Sequence, residues 1–153
     1  MKPNFNKNYK GIKCRVYLIR ENDGDEVVAI HNPTAAYELV KDELVSSDRE
    51  MLLSVMLTTK NNLIGVETVS IGSINVTSMS PREVFKSAIL ANAVSIILCH
   101  NHPSGCLIPS DADIQMTKQF VEAGELLGIK VLDHIVVSDQ GFKSLRDCYK
   151  FPD

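Results

Sequence analysis

The stretch that most constrains the fold is Val94-Ser95-Ile96-Ile97-Leu98, an apolar, β-branched run that reads as a buried strand. It passes directly into Cys99-His100-Asn101-His102-Pro103-Ser104-Gly105, and a helix is predicted to begin at Ser110. The loop between them is stiffened by Pro103 and Pro109 and turned by Gly105. His100 and His102 are two apart, so in extended chain both imidazoles leave the same face. Asp113 arrives from the first turn of the helix. Two imidazoles and a carboxylate make a three-ligand set for Zn²⁺, with a fourth position open for water, as a hydrolytic site needs. A second account needs no metal. Ser110-Asp111-Ala112-Asp113 fits an N-cap serine with an acidic residue three positions on, and both aspartates suit the positive end of the helix dipole. That account leaves His100 and His102 unexplained at the end of an apolar strand.

The 153 residues are enough for one domain with a sizeable core, and the 44% apolar and 23% charged composition is that of an ordinary globular protein. Net charge is −3 and there is no lysine- or arginine-rich run, so nucleic-acid binding is not supported by charge, nor is a grip on anionic membrane. No stretch is long and apolar enough to span a bilayer, and no signal-peptide pattern opens the chain. Cys14, Cys99, Cys106 and Cys148 form no CxxC pair, which predicts free thiols in a reducing cytoplasm.

Residues 1–10 are polar and rich in asparagine and lysine, the composition of a flexible N-terminus, and a single domain is expected over 11–153. Alternation predicts a strand from Lys13 to Arg20, a turn at Asn22–Asp25 and a returning hairpin arm over Glu26–Ile30. Asn32-Pro33 supplies N-cap and N1 for a helix to about Val45, with Ala36, Leu39, Val40 and Leu44 on one face. Met51–Leu57 is a strand apolar enough to be central, and Leu63–Ile71 returns from the Lys60-Asn61-Asn62 turn. After a loop at Gly72–Ser78, Ser80-Pro81-Arg82-Glu83 is a full capping box for a helix burying Val84, Phe85, Ala88, Ile89 and Ala91. The helix from Ser110 carries Met116, Phe120, Ala123 and Leu127 at helical spacing and stops near Gly128. Ile129–Val137 and Phe142–Leu145 are the last strands. This order implies an α/β (α+β) mixed sheet flanked by helices.

His100-x-His102, seven residues, Ser110, two residues and Asp113 resemble the JAB/MPN (JAMM) metalloprotease signature at every spacing. The wording His100-Asn101-His102-Pro103-Ser104-Gly105, with Pro109-Ser110, Pro81–Val84 and Leu132–Val136, is similar specifically to the RadC-like branch. The resemblance runs from the helix near residue 33 to residue 146 and implies the JAB/MPN (cytidine-deaminase-like) architecture. It also implies zinc on His100, His102 and Asp113, and a peptide or isopeptide-linked protein as substrate. Longer members of this branch often carry a helix-hairpin-helix module, for which 11–153 is not expected to have room. Their DNA-repair label is one this acidic chain does not support.

A hydrolytic zinc site needs a general base. In the JAMM pattern it is a glutamate just before an upstream apolar strand, where Glu50 stands; at the beginning of a strand it can lie beside His100 at the end of an antiparallel neighbour. The competing account of Glu50 is an exposed charge in a polar junction, and Glu67 is the alternative base. Ser110 can both cap the helix and donate to the oxyanion, because capping uses its lone pairs and the oxyanion its proton. Asp133-His134 face opposite ways on their strand. Asp133 is a candidate to hold a ligand imidazole, and His134 is expected to be buried and hydrogen-bonded rather than a fourth ligand. Two other classes remain: a non-catalytic metal-binding module in a DNA-repair or mobile-element context, and a nuclease, which the missing basic surface disfavours.

Overall fold

The strand foreseen around Val94–Leu98 is β3 (Ser95–Asn101), and in a computed structural model of the chain all seven of its residues are buried. The structure describes residues 16, 18, 19, 26–72, 79–149 and 151. A buried strand must pair its backbone on both edges, since an unpaired buried N–H or C=O is costly. β3 does so with β1 (Met51–Leu57), which runs antiparallel, and with β4 (Lys130–Ser138), which runs parallel. β2 (Leu63–Ile71) lies outside β1 and β5 (Gly141–Ser144) outside β4, giving a five-stranded mixed sheet in the order β2-β1-β3-β4-β5.

Strand alternation divides the apolar side chains between two faces. On one face Leu53, Val55, Leu57, Ile97, Cys99, Ile135 and Val137 pack against Ala36, Val40 and Leu44 of α1 (Pro33–Ser46). On the other, Leu52, Met56, Ile96 and Leu98 meet Val84, Phe85 and Ala88 of α2 (Pro81–Leu90) and Met116, Phe120 and Val121 of α3 (Asp111–Leu127). The mixed sheet flanked by helices expected from the order of elements is therefore present. Two parallel neighbours cannot be joined by a tight turn and need a crossover. α3 is that crossover, and its N-terminus follows the C-terminal end of β3, where open α/β sheets place their ligands.

Local chemistry accounts for the helix ends. Asn32 caps α1 by accepting the Ala35 N–H at 2.8 Å, with Pro33 at the first turn. α3 ends where Gly128 takes φ 70°, a left-handed conformation that glycine enters without strain.

Several local expectations are corrected. Glu26–Ile30 is not a hairpin arm: it contributes one bridge, Ala29 to Asn62, at the start of β2. The proposed flexible 1–10, the turn at 22–25 and the loop over 73–78 lie outside the described residues. So does most of the strand placed at 13–20, of which the described residues 16, 18 and 19 form no strand. Ser80 makes no side-chain cap: the Glu83 N–H goes to the Ser80 carbonyl at 3.0 Å, and the Glu83 carboxylate pairs with Lys86 at 3.1 Å. Ile89 and Leu127 are exposed, since α2 and α3 bury faces centred on Val84–Ala88 and Phe120. A four-residue helix, α4 (Leu145–Cys148), follows β5 and takes Leu145, which had been assigned to the strand.

α3 crosses close to the turn into β4 at Gly124. A Cβ there would run into the Ile129 carbonyl oxygen and stand 3.2 Å from Phe85. Gly124→Ala is therefore expected to destabilise by about 1–3 kcal/mol despite the better helix propensity of alanine. Leu126→Ala, at an exposed position of the same helix, should stay within about 0.5 kcal/mol of wild type. Thermal melting of the two variants checks the contrast.

Candidate metal centre

His100 is the penultimate residue of β3 and is buried; His102 follows the strand and is half-buried. A turn closed by the Gly105 N–H to the His102 carbonyl, 2.8 Å, folds the loop back over the ring. His102 Nδ1 then lies 2.8 Å from the Cys106 carbonyl. A carbonyl only accepts, so Nδ1 carries hydrogen, and in the neutral ring Nε2 is left with a lone pair. Asp113 is brought by the first turn of α3. Its carboxylate Oδ2 accepts from the Ser110 N–H and hydroxyl, each at 2.7 Å, while Ser110 Oγ accepts the Asp113 N–H at 3.2 Å. The capping box read in the sequence is thus formed, and it fixes the rotamer of Asp113.

These elements converge. His100 Nε2 and His102 Nε2 are 3.0 Å apart, and Asp113 Oδ1 and Oδ2 lie 3.5 Å and 3.3 Å from them respectively. Ligand atoms at about 2.0–2.1 Å from a tetrahedral Zn²⁺ are separated by about 3.3 Å. The two histidine nitrogens stand near that separation, each faces a different Asp113 oxygen, and with one ligand atom per residue the three lie within 4.8 Å of one another, so the donor set fits a metal in its chemistry and surrounds a common point. Among the described residues, His100, His102 and Asp113 are the His/Cys/Asp/Glu group that can hold a metal ion.

The electrostatics agree. Burial pushes the Asp113 carboxyl up, but the His100 and His102 rings and the Ser110 hydroxyl outweigh it and hold it well below the usual carboxylate range. Asp113 raises His102, against its partial burial. Burial, with His100 adding to it, pushes His134 well below the ordinary imidazole range. Cys99 points to the α1 face, where burial raises its thiol.

Glu50 immediately precedes β1, whose Leu52 pairs with His100 in the antiparallel register, so Glu50 and His102 extend the two strands at the same end. Its charge contributes to raising His102. Asn101, between the two histidines, ties this end together: Oδ1 accepts the Met51 N–H at 2.7 Å and Nδ2 donates to the Arg49 carbonyl at 2.9 Å. It therefore grips the backbone on both sides of Glu50. Glu67 lies opposite Ser54 on β2 and is not brought into the His/Asp group; its Oε2 is buried without a hydrogen-bond partner.

Asp133 does not hold a ligand imidazole. It faces away and accepts from Ser144 Oγ, the Arg146 N–H and the His134 N–H. His134, fully buried as expected, takes that place, with Nε2 at 2.7 Å from His100 Nδ1. Behind it stands Thr117, 2.6 Å from His134 Nδ1 and unforeseen in the sequence. Its signal was its spacing: four residues after Asp113, it shares the inward face of α3.

A mixed α/β domain with a candidate His-His-Asp metal centre at the end of a buried strand is the class that fold and site define. A family model described as a RadC-like JAB domain matches residues 30–150. A UPF0758 protein of Desulforudis audaxviator is 46% identical over 123 residues, covering 80% of this chain and 54% of that protein. Another, of Desulforamulus reducens, is 49% identical over 119 residues, 78% of this chain and 52% of its own. A third, of Methanosarcina mazei, is 44% identical over 118 residues, 77% and 52% of the two chains. The chain belongs to the RadC-like JAB domain family, and it spans about half the length of the curated relatives it matches. No helix among the described residues is long and apolar enough to cross a membrane.

Two predictions follow from this geometry. Asn101→Leu strands the Met51 N–H and the Arg49 carbonyl and should cost roughly 1–3 kcal/mol, read as a lower melting temperature. The second concerns pH in metal-free protein. Asp113 and His134 have folded pKa values below their unfolded ones, so their contributions are lost as pH falls, below about 3.9 and about 6.5 respectively. His102 has a raised folded pKa, so its contribution is complete below about pH 6.5 and lost as pH rises through the folded value. Melting temperature should therefore decline as pH rises above about 6.5, and His102→Gln should abolish that decline. Excess Zn²⁺ should reverse it, because a ligand imidazole must present a bare nitrogen. An unchanged alkaline decline in His102→Gln would assign it to another group.

Proposed function

We propose that the domain is a zinc-dependent metallopeptidase or isopeptidase, with His100, His102 and Asp113 as metal ligands and Glu50 as general base. The observation that carries this reading is the convergence of three donor side chains, with ligand atoms within 4.8 Å of one another, beside the strand that Glu50 precedes. Family membership supports it. When bound, Zn²⁺ supplies Lewis acidity, which acidifies water and polarises a carbonyl. Glu50 accepts the proton of the attacking water and delivers it to the departing nitrogen. Ser110 contributes its hydroxyl hydrogen, held by Asp113 in the resting arrangement, to the developing oxyanion. Asn101 keeps Glu50 in register with the histidines.

The substrate class is a peptide or an isopeptide-linked protein, met in the cytoplasm. A cleft of about 420 Å³ beside the centre supports this. Its lining includes Asn101, His102, Ser104, Ser138, Asp139 and Gln140, so it meets the centre at His102. Its volume falls within the usual range of ligand sites, and its exposed polar groups suit a backbone-recognising cleft.

The test begins with metal content and melting of wild type and His102→Ala. Stoichiometric zinc in the wild type, lost in a variant that still folds, is expected. Glu50→Gln should retain the zinc and cleave a library of quenched peptides and lysine-isopeptide conjugates roughly 10²–10⁴-fold more slowly. Absence of zinc from the wild type, or unchanged cleavage by Glu50→Gln, would overturn the reading. Unfolding on chelation without cleavage of any conjugate would indicate a structural metal module instead.

A further inference from the structure

The side chains behind His100 form a directional chain. Thr117 Oγ1 lies 2.6 Å from the Asp113 carbonyl oxygen and 2.6 Å from His134 Nδ1; His134 Nε2 lies 2.7 Å from His100 Nδ1. Thr117, His134 and His100 are all buried, so no solvent hydrogen is available to rearrange the contacts. A hydroxyl has one hydrogen and a carbonyl has none. Thr117 must therefore donate to the Asp113 carbonyl, since the alternative leaves two oxygens 2.6 Å apart with nothing between them. Thr117 Oγ1 then accepts, and His134 Nδ1 must carry the hydrogen. A neutral imidazole has one N–H, so with its hydrogen on Nδ1 His134 leaves Nε2 bare. It accepts from His100 Nδ1–H, which leaves His100 Nε2 bare as well. That lone pair faces His102 Nε2 at 3.0 Å; when His102 is neutral two lone pairs meet there, an arrangement that calls for a cation.

We propose that Thr117 and His134 are positioning residues that fix the His100 tautomer, so that the Asp113 main chain dictates which nitrogen His100 presents to the metal. The proposal rests on the reading of His100 as a metal ligand. The relay begins at one ligand's backbone and ends at another ligand's side chain. Neither Thr117 nor His134 touches the ion; each acts through His100. Partners of this kind typically change metal affinity by about 10–100-fold.

The test combines nitrogen-15 NMR of histidine tautomers in metal-free protein with zinc affinity, measured by competition with a chromophoric chelator. In wild type, His134 and His100 should both carry hydrogen on Nδ1. Thr117→Val removes the acceptor for His134, so the two rings should gain the Nε2–H form and zinc affinity should fall about 10–100-fold. Thr117→Ser, which keeps the hydroxyl, should restore both readouts. Should Thr117→Val fail to fold, His134 variants decide: Gln can still accept the His100 hydrogen and should keep affinity within several-fold, whereas Leu should lose at least tenfold. Hydrogen on Nε2 of either ring in wild type would overturn the relay, as would wild-type affinity in Thr117→Val or equal affinity in His134→Gln and His134→Leu. If wild type binds no zinc, the peptidase reading falls, and the wild-type tautomers still decide the relay separately.

Discussion

The structure depends on the burial of β3 on both faces and along both edges. A strand in that position can leave no backbone group unpaired, so it imposes β1 on one side and β4 on the other. The parallel pairing with β4 in turn requires the α3 crossover. The chain leaves the core just past the C-terminal end of the strand, at the half-buried His102, and the start of α3 returns there. The histidines and Asp113 meet because a parallel pair of strands must be joined by a helix.

Asn101 adds a second kind of order. Residues 100 and 102 present imidazoles, while the side chain between them faces the start of β1 and holds the peptide groups flanking Glu50. One tripeptide thus contributes two candidate ligands and the clamp on the candidate base. A displacement of β1 along β3 would break both hydrogen bonds at once, so the register of the sheet and the placement of Glu50 are the same constraint.

Elements whose cause is local were legible in the sequence. β1, β3 and α3 follow from apolar runs and helical spacing, and α1 from its Asn32-Pro33 start. The His-His-Asp set followed from spacing alone, because strand and helix periods carry those side chains to one end of the sheet. What could not be read depends on partners distant in sequence. The Glu26–Ile30 hairpin failed because that segment meets Asn62 instead. The Ser80 capping box failed because the Glu83 N–H bonds the Ser80 carbonyl and the Glu83 carboxylate pairs with Lys86. Thr117 escaped notice because hydroxyls on helices commonly bond back to their own turn; only the packing of β4 against α3 gives its second lone pair a histidine. The Asp133-His134 alternation was correctly seen, but not which of the two would face His100.

The capping box at the start of α3 has a further consequence. Ser110 and Asp113 satisfy one another and the helix end with no ion involved, so they serve the folding of α3 as well as the centre. His100 and His102 have no such second duty at their Nε2 atoms. In a lineage released from chemistry, selection for a foldable chain would go on holding the serine and the aspartate while the histidines drifted. Half of this signature is therefore a record of folding, and only the histidine half is a record of use.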